Sequence, residues 1–272
     1  VDDRLAYKNV VVNGLVLDAE GAKMSKSKGN AVDPFAAIEQ HGVDPIRWSM
    51  MASSPPWENL RYSDEAVHET RRKVFGTLVN TYRFFATYAA IDGFAYDASS
   101  TLPDADRTEL DRWILSRLQT TIAESEAALD AYHPTRAARA IEAFIDDLSN
   151  WYVRRSRERF WAEGRGQDKM DAHWTLYQCL RDFCIVIAPF LPFAAEDMYQ
   201  NIVVRQYGNG YPDSVHLRLY PCGDVARIDE GLSKDMAEVR ALVSLGLQVR
   251  AKSKIKVRQP LREAELVLAD RS

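Results

Sequence analysis

Apolar side chains recur with helical spacing over most of the chain after residue 63, and this periodicity is the feature that most limits the possible folds. In four long segments they occupy positions i, i+3, i+4 and i+7 over three turns or more, which is typical of amphipathic helices. Short connections separate the segments, and consecutive long helices with short connections pack as an antiparallel bundle. We therefore predict a mainly α fold built on a helical bundle.

Glycine and proline give the limits of these helices. The first is predicted to end near Asp92-Gly93, the second before His133-Pro134, and the third to start at Pro134. The fourth follows the segment EGRGQDK and is broken by Pro189 and Pro192. A short strand or extended segment is predicted at 214–221. A fifth apolar stripe with helical spacing then runs from Leu232 to Leu247.

Composition excludes several classes of protein. The chain has 35 basic and 39 acidic residues, so its net charge of −4 does not by itself indicate nucleic-acid binding. Its three cysteines are too few and too irregularly spaced for a disulfide framework or a zinc site. It contains no apolar run of about 18 residues. We expect reduced thiols, a cytoplasmic location, no metal site and no membrane partner.

The residues before the bundle are organised differently. Tyrosine, valine and leucine cluster around Asn13-Gly14, a turn dipeptide that predicts a hairpin of two short strands. Asp33-Pro34 and Asp44-Pro45 each place a capping carboxylate before a proline, which predicts two helix starts. The proline-rich segment SSPPWENLRY at 53–62 predicts a domain boundary near residue 60.

Between these elements lies a loop with three lysines in six residues, Lys23, Lys26 and Lys28, interleaved with two serines. Ammonium groups on flexible stems, together with hydroxyl and backbone N–H donors, can close over a polyphosphate. The spacing is not that of a Walker loop. A solvated basic loop without a ligand is the alternative interpretation.

The string Lys23-Met24-Ser25-Lys26-Ser27, with an apolar strand before it and KGNAVDP after it, resembles the second signature loop of class I aminoacyl-tRNA synthetases. The resemblance implies the C-terminal end of a Rossmann-like catalytic domain. It also implies that Lys23, Met24, Ser25, Lys26 and Ser27 bind ATP, as Mg-ATP, and that Lys26 and Lys23 are catalytic. Lys26 is the lysine expected to reach the phosphates.

The segments SSPPWENLRYS, NTYRFFATYAAIDGF, DRWILSRLQTTI, LSNWYVRRSRERFW and AKSKIKVRQPL are similar to those of isoleucyl-tRNA synthetases. This implies an anticodon-binding bundle in a monomeric ligase that activates isoleucine with ATP and transfers it to tRNA(Ile). A valyl-tRNA synthetase shares the loop and the bundle but fits these segments less well. A non-catalytic RNA-binding helical module is the alternative from another class, although such a protein has no need of the lysine loop.

The resemblance also implies a division of the chain. Residues 1–60 are predicted to be the end of the catalytic domain, 61–222 the bundle, and 223–272 the start of a small α+β C-terminal unit. None of the five histidines belongs to a His-x-Gly-His string, the first signature of the class. The chain opens mid-pattern and stops as strand-like alternation begins. We interpret it as a piece of a longer enzyme that is inactive alone.

Two basic clusters are candidates for tRNA binding. Arginine suits phosphate and exposed aromatic rings suit unstacked bases, and the segment NWYVRRSRERFW supplies both. Trp151 and Tyr152 continue the apolar stripe of their helix, which favours core positions. The candidates are Arg154, Arg155, Arg157 and Trp161; for Trp161 the choice follows a weak similarity to methionyl enzymes.

By the same resemblance, Asn80 occupies the place of an anticodon-reading asparagine, and Arg83 lies one residue short of an arginine position. The second cluster, RAKSKIKVRQPLR at 250–262, has six positive charges and no acid. Alternation of Lys254, Lys256 and Arg258 predicts a strand with one charged face, for contact with the tRNA backbone. An edge strand protected by lysines is the competing interpretation.

Overall fold

A short parallel strand pair opens the fold in a computed structural model, which describes residues 6–95, 97, 103, 106–207 and 210–265. Strand β1 (Val16–Leu17) pairs in parallel with β2 (Leu60–Arg61), with Val16 opposite Leu60. The helices α1 (Pro34–His41) and α2 (Val43–Ser53) lie between the two strands in sequence. The lysine loop connects β1 to α1.

The hairpin prediction at Asn13-Gly14 is wrong. Residues 6–15 contain no strand, and the partner of β1 comes from more than forty residues later in the chain. Gly14 instead allows a close approach of two segments. Its N–H donates to the carbonyl of Pro56 at 2.8 Å, and a Cβ added here would lie 2.2 Å from the carbonyl oxygen of Glu58.

The two Asp-Pro dipeptides begin their helices differently. Asp33 caps α1 as predicted, since its carboxylate accepts from the N–H of Phe35 at 2.9 Å. The same prediction for Asp44 is wrong, because α2 already begins at Val43 and Gly42 is its N-cap. Gly42, at φ 85°, ends one helix and starts the next, so Asp44 falls inside the first turn, where it is buried.

The first long helix is composed of α3 (Asp64–Thr70), a π-helical turn at Arg71–Phe75 and α4 (Gly76–Asp92). Ser63 caps its start and Gly93, in the left-handed region, ends it. The end near Asp92-Gly93 is as predicted. Apolar side chains on one face of this helix are buried in the core; they are Val67, Val74, Leu78 and Phe85.

The second and third long helices match their predicted limits, whereas the fourth begins at Gln167, inside the segment EGRGQDK that is predicted to precede it. These helices are α5 (Glu109–Asp130), α6 (Pro134–Asp146) continued by a π-helical turn (Asp147–Val153) and α7 (Arg154–Trp161), and α8 (Gln167–Ile187). Their shared core is aromatic and aliphatic, and burying each large side chain contributes about 1.5–3 kcal/mol. Fully buried examples are Trp113, Ile114, Phe144, Tyr152, Leu180 and Phe183. The thiols of Cys179 and Cys184 lie in the same core.

After α8 the chain turns into α9 (Pro192–Tyr199), a π-helical turn (Gln200–Val204) and α10 (Arg205–Tyr207). The segment 214–221 contains a 3-10 turn at Val215–Leu217 and no strand, so the strand alternative is wrong, although the backbone is extended at Arg218 directly after the turn. The segment packs back on the bundle, where the Tyr220 hydroxyl donates to Ser125 Oγ at 2.9 Å.

Contacts divide the chain into two compact units, Val1–Ile228 and Asp229–Ser272. The second contains α11 (Glu230–Lys252), the predicted fifth helix, capped by Asp229. The predicted strand after it is absent from residues 253–265. The chain forms turns there, and the Arg250 guanidinium holds them by donating to the carbonyls of Lys256 and Gln259. The domain limits at 60 and 222 stay predictions.

Within the described part of the chain, no helix combines the length and the apolar character needed to span a membrane.

Candidate functional site

The lysine loop starts at the end of β1 as a tight turn. Leu17 forms an antiparallel bridge with Lys23, and the N–H of Asp18 donates to the carbonyl of Ala22 at 2.9 Å. Gly21 closes the turn at φ 86°, in the left-handed region that glycine adopts most easily. The loop therefore leaves the strand in a defined direction.

Asp18 and Asn30 hold the two ends of the loop together. The Asp18 carboxylate accepts from the N–H of Ala22 at 2.6 Å and from Asn30 Nδ2 at 2.8 Å. Asn30 Oδ1 in turn accepts from the N–H of Ser25 at 2.9 Å. The hydrogen bond from Asn30, followed by that from Ala22, keeps the pKa of Asp18 below its ordinary value, so the carboxylate stays charged at neutral pH.

The middle of the loop is a single 3-10 turn at Lys26–Lys28. Ser25 caps it, since its Oγ accepts from the N–H of Lys28 at 3.3 Å and lies 3.2 Å from Ser27 Oγ. Gly29, at φ 70°, ends the turn. These contacts are local, so the loop is shaped by its own residues.

All three lysine side chains of the loop are exposed. None of Lys23, Lys26 and Lys28 forms an ion pair with another residue that the structure describes. The arrangement thus presents three cations and two hydroxyl groups, those of Ser25 and Ser27, on one preformed loop. Chemically, it can bind phosphate oxygens and follow the charge that develops on them.

Sequence reasoning missed Asp18 and Asn30 as organising residues. A signal was available, because an acid directly after a strand and an asparagine after the loop glycine are both typical of side chains that bind backbone groups. No group of three His, Cys, Asp or Glu side chains among the described residues is arranged to hold a metal ion.

The arginines of α7 separate into two kinds. Arg154, Arg155 and Arg157 are exposed, and the Arg155 guanidinium lies 4.7 Å from the ring centre of Trp151, a cation–π distance. Arg159 points inward instead. It donates from Nη1 and Nη2 to the two carboxylate oxygens of Asp111, at 2.9 and 2.8 Å. Three of the four arginines therefore remain available to a ligand.

The Asp111–Arg159 pair belongs to the core. Asp111 and Tyr152 are fully buried, and the Tyr152 hydroxyl donates to Asp111 at 2.6 Å. Burial lowers the pKa of Arg159, but its hydrogen bonds to Asp111 and Asp168 and the charge interactions with Tyr152 and Asp111 together outweigh this effect and leave the pKa above the ordinary value. The predicted core position of Tyr152 is confirmed, whereas Trp151 is half-buried beneath Arg155.

The second half of α4 contacts the end of α7. The Trp161 ring is 56% exposed and its Nε1 donates to the Tyr88 hydroxyl at 2.7 Å. One turn earlier on α4, Phe84 packs on Phe160 with ring centres 5.0 Å apart. Asn80, exposed, precedes Phe84 by four residues and thus lies on the side of α4 that approaches α7.

Arg83, also on α4, is exposed as well. The structure therefore places the candidates of the first basic cluster, together with Asn80 and Arg83, on two adjacent helices of the bundle. Lys254, Lys256 and Arg258 lie in the second unit. They are exposed and occupy turns, so the predicted charged strand face does not form there. Lys254 has φ 55°.

Comparison with known proteins adds two matches to domain families. Residues 111–266 match the family described as "Anticodon-binding domain of tRNA ligase". Residues 1–63 match "tRNA synthetases class I (I, L, M and V)". The first match covers most of the bundle and the second contains the lysine loop.

The chain is similar to curated isoleucine–tRNA ligases over nearly its whole length. It is 48% identical to that of Bacteroides fragilis over 262 residues, which are 96% of this chain and 23% of the relative. It is 48% identical to that of Porphyromonas gingivalis (94% and 22%) and 43% identical to that of Dehalococcoides mccartyi (98% and 26%). The chain thus spans about a quarter of the length of these relatives.

Solved structures show the same fold at lower identity. The LeuRS of Agrobacterium radiobacter K84, in a ternary complex with tRNA and LeuAMS, matches 80% of this chain and 24% of its own with a TM-score of 0.57 at 19% identity. The methionyl-tRNA synthetase of Mycobacterium tuberculosis, in complex with methionyl-adenylate, matches 75% and 43% with a TM-score of 0.55 at 22% identity. At these identities the likeness establishes the fold.

Proposed function

Since the chain belongs to the family of anticodon-binding domains of tRNA ligases, we propose that it is a segment of an isoleucine–tRNA ligase. The whole enzyme would activate isoleucine with ATP, as Mg-ATP, and transfer it to tRNA(Ile). The similarity to isoleucine–tRNA ligases along nearly the full chain supports this assignment.

The lysine loop is the observation that carries the catalytic part of the proposal. Its cations are exposed, without ion pairs to the rest of the described chain, and held on a preformed turn by Asp18 and Asn30. We assign Lys23, Met24, Ser25, Lys26 and Ser27 to binding of the ATP phosphates. Lys26 and Lys23 would stabilise the negative charge that develops as the isoleucine carboxylate attacks the α-phosphate and pyrophosphate leaves.

The exposed face of α4 and α7 carries the tRNA-binding part of the proposal. Arginine forks bind phosphate oxygens in pairs, and an exposed indole offers a stacking surface for an unpaired base. The face combines both; its proposed contacts are Asn80, Arg83, Arg154, Arg155, Arg157 and Trp161. In the second unit, Lys254, Lys256 and Arg258 are proposed to contact the tRNA backbone. We further propose that the enzyme is a cytoplasmic monomer.

A valyl-tRNA synthetase is the nearest alternative function. The domain match at residues 1–63 includes valyl enzymes, but the relatives described above are isoleucine–tRNA ligases. A non-catalytic RNA-binding protein would account for the bundle and its exposed arginines. It would not account for a capped, lysine-bearing loop beside a strand end.

Amino-acid-dependent exchange of pyrophosphate into ATP by the full-length enzyme separates these functions. We expect exchange with isoleucine and much less with valine, followed by charging of tRNA(Ile). Preferred exchange with valine and charging of valine tRNA would establish the valyl alternative. Absence of pyrophosphate exchange with any amino acid would favour the alternative of a non-catalytic RNA-binding module. The isolated 272-residue chain should show no exchange.

A further inference from the structure

The chain turns a corner between α8 and α9, at residues 188–191, and α9 begins there without a side-chain cap of its own. The N-cap of α9 is Leu191, whose side chain cannot accept a hydrogen bond. The first N–H groups of any helix lack partners within the helix, so those of Phe193 and Ala194 need an acceptor from elsewhere. On the other side of the corner, the last carbonyls after α8 need donors.

Asp44 of α2 supplies the missing acceptor. Its Oδ2 accepts from the N–H of Ala194 at 2.7 Å, and its Oδ1 lies 3.5 Å from the N–H of Phe193. The donor and the acceptor are 150 residues apart in sequence. A carboxylate at a helix N-terminus is also favoured by the helix dipole. The buried Asp44 side chain therefore acts as the cap of a helix to which it does not belong.

Arg47, one turn later on α2, binds the other side of the corner. Its Nη2 donates to the carbonyl of Pro189 at 2.9 Å, and its Nε lies 3.4 Å from the carbonyl of Phe190. On the same helix, the buried Trp48 ring packs 5.8 Å from the ring of Phe190. We call Asp44, Arg47 and Trp48 the corner clamp.

The opposite end of α2 is also fixed to the bundle. Thr135 Oγ1, at the start of α6, lies 2.9 Å from the carbonyl of Met51 and 2.8 Å from that of Ser54, which share its proton. Before α2, the buried His41 at the end of α1 lies 2.9 Å from the carboxylate of Asp64 at the start of α3. The segment after the lysine loop is thus attached to the bundle at three points.

The chemistry of the corner clamp selects one position for α2. An apolar contact would tolerate sliding, because the hydrophobic effect is not directional. Here a carboxylate meets backbone donors and a guanidinium meets backbone acceptors, three residues apart on one helix face. Shifting α2 by one turn would unpair the buried carboxylate of Asp44 and the half-buried guanidinium of Arg47, and leaving such charged groups without hydrogen-bond partners is unfavourable.

We propose that Asp44 and Arg47 are positioning residues that fix the lysine loop relative to the tRNA-binding face of α4 and α7. This inference rests on the proposed function. Transfer requires that a tRNA held by the bundle reaches the site where the loop has helped to form the adenylate. Activation needs no tRNA and therefore does not depend on this geometry. The corner clamp should consequently matter for transfer and not for activation.

The test compares the two half-reactions in the full-length enzyme carrying Asp44→Asn together with Arg47→Met. We expect pyrophosphate exchange per titrated active site to stay within about twofold of wild type. The rate of aminoacylation should fall by about tenfold or more, since misplacing reacting groups by about 1 Å can cost up to about a hundredfold. Glu39→Gln on α1, an exposed acid, is the control and should change neither rate.

Equal loss of exchange and aminoacylation, or no loss of either, would overturn the proposal. If the double variant does not fold, Arg47→Lys keeps the charge and the stem but loses the fork, and the same comparison applies. A wild-type enzyme without isoleucine-dependent exchange would refute the proposed function instead.

Even if the enzyme shows no pyrophosphate exchange, amide hydrogen exchange on the 272-residue chain tests the contacts of the corner clamp. Asp44→Asn should speed exchange at Ala194 and leave amides in the middle of α5 unchanged. Unchanged exchange at Ala194 would show that Asp44 does not cap α9.

Discussion

The lysine loop and helix α7 both present a run of cations, but they place them in different ways. In the loop, Lys23, Lys26 and Lys28 are all exposed because local hydrogen bonds shape the backbone and leave the side chains outside. On α7, Arg157 is exposed, whereas the half-buried Arg159 points inward and pairs with the fully buried Asp111. In this loop the side chains of all three lysines are exposed, so position along the chain does not separate them. On a helix the period decides which of two similar residues is part of the core.

The largest expected effect comes from removing Arg159, the arginine that pairs with the fully buried Asp111. Arg159→Met should lower the free energy of unfolding by about 3–5 kcal/mol, because Asp111 would be left as an unpaired buried charge. Arg157→Met is the matched control and should change it by no more than about 0.5 kcal/mol. Urea unfolding followed by circular dichroism measures both. Similar losses for the two variants would contradict the division of α7 into core and surface arginines.

The next effect concerns the loop and is catalytic. Lys26→Ala in the full-length enzyme should depress isoleucine-dependent pyrophosphate exchange by about 10²-fold or more, as expected for loss of one charge contact in the transition state. Stability should be unchanged, since the Lys26 side chain is exposed. Lys28→Ala, just outside the matched string, serves as the control with a smaller effect. Near-wild-type pyrophosphate exchange in Lys26→Ala would contradict the proposal that Lys26 stabilises the transition state.

A smaller effect is expected from the residue that shapes the loop. Asn30→Ala breaks the link between Asp18 and the backbone of Ser25, so the lysines would lose their fixed direction. A loss of about 1.4 kcal/mol of transition-state stabilisation, which is the size of one or two hydrogen bonds, corresponds to a tenfold drop in the rate of pyrophosphate exchange. Asn30→Asp should be at least as harmful, because two carboxylates would then face each other. Activity retained in both variants would show that the loop does not need this link.

The smallest effect is a pH dependence in the bundle. The His173 ring is buried, with Nε2 2.8 Å from Asp92 Oδ2, while Lys169 Nζ lies 2.6 Å from Asp92 Oδ1. Burial lowers the pKa of His173 below its ordinary value of 6.5, and the nearby Lys169 and Arg165 add to this against the opposing effect of Asp92. The unfolded chain therefore binds a proton at a higher pH than the folded chain.

The free energy of unfolding therefore decreases as the pH falls below about 6.5, the ordinary pKa of histidine, because the unfolded chain then binds a proton that the folded chain does not. For one histidine, the slope of the unfolding free energy against pH cannot exceed about 1.4 kcal/mol per pH unit. Urea midpoints at pH of about 7.5 and 5.5 should differ more for wild type than for His173→Gln, which keeps a donor for Asp92 but does not titrate. Equal differences would mean that His173 contributes nothing to the pH dependence.

Periodicity and local turn chemistry predicted much of the fold. The limits of the long helices follow from Gly93 and Pro134, and Asp33 caps α1 as its position indicates. The dipeptide of Asp44 looks the same as that of Asp33, yet Asp44 caps α9. A partner 150 residues away leaves no trace in a local pattern. The parallel partner of β1 was missed for the same physical reason.

The candidate site was predictable to a similar degree. The string from Lys23 to Ser27 identified the loop, whereas the contacts of Asp18 and Asn30 that shape it required the structure. Helical spacing indicates that Arg159 points toward the core, because it lies seven residues after the buried Tyr152 and therefore on the same face of the helix. The strand expected at Lys254 did not form, because α11 extends to Lys252 and turns follow.

The most direct test of the central comparison is binding of the 272-residue chain to an isoleucine tRNA transcript over a range of salt concentrations. One variant replaces Arg154, Arg155 and Arg157 with glutamine, and the other replaces Lys23, Lys26 and Lys28. We expect the arginine variant to bind more weakly, with a log–log salt slope smaller by about 2–3, because each lost arginine removes one phosphate contact. The lysine variant should bind as wild type does. Equal weakening by the two variants, or weakening by the lysine variant alone, would contradict the assignment of the two cation clusters to different ligands.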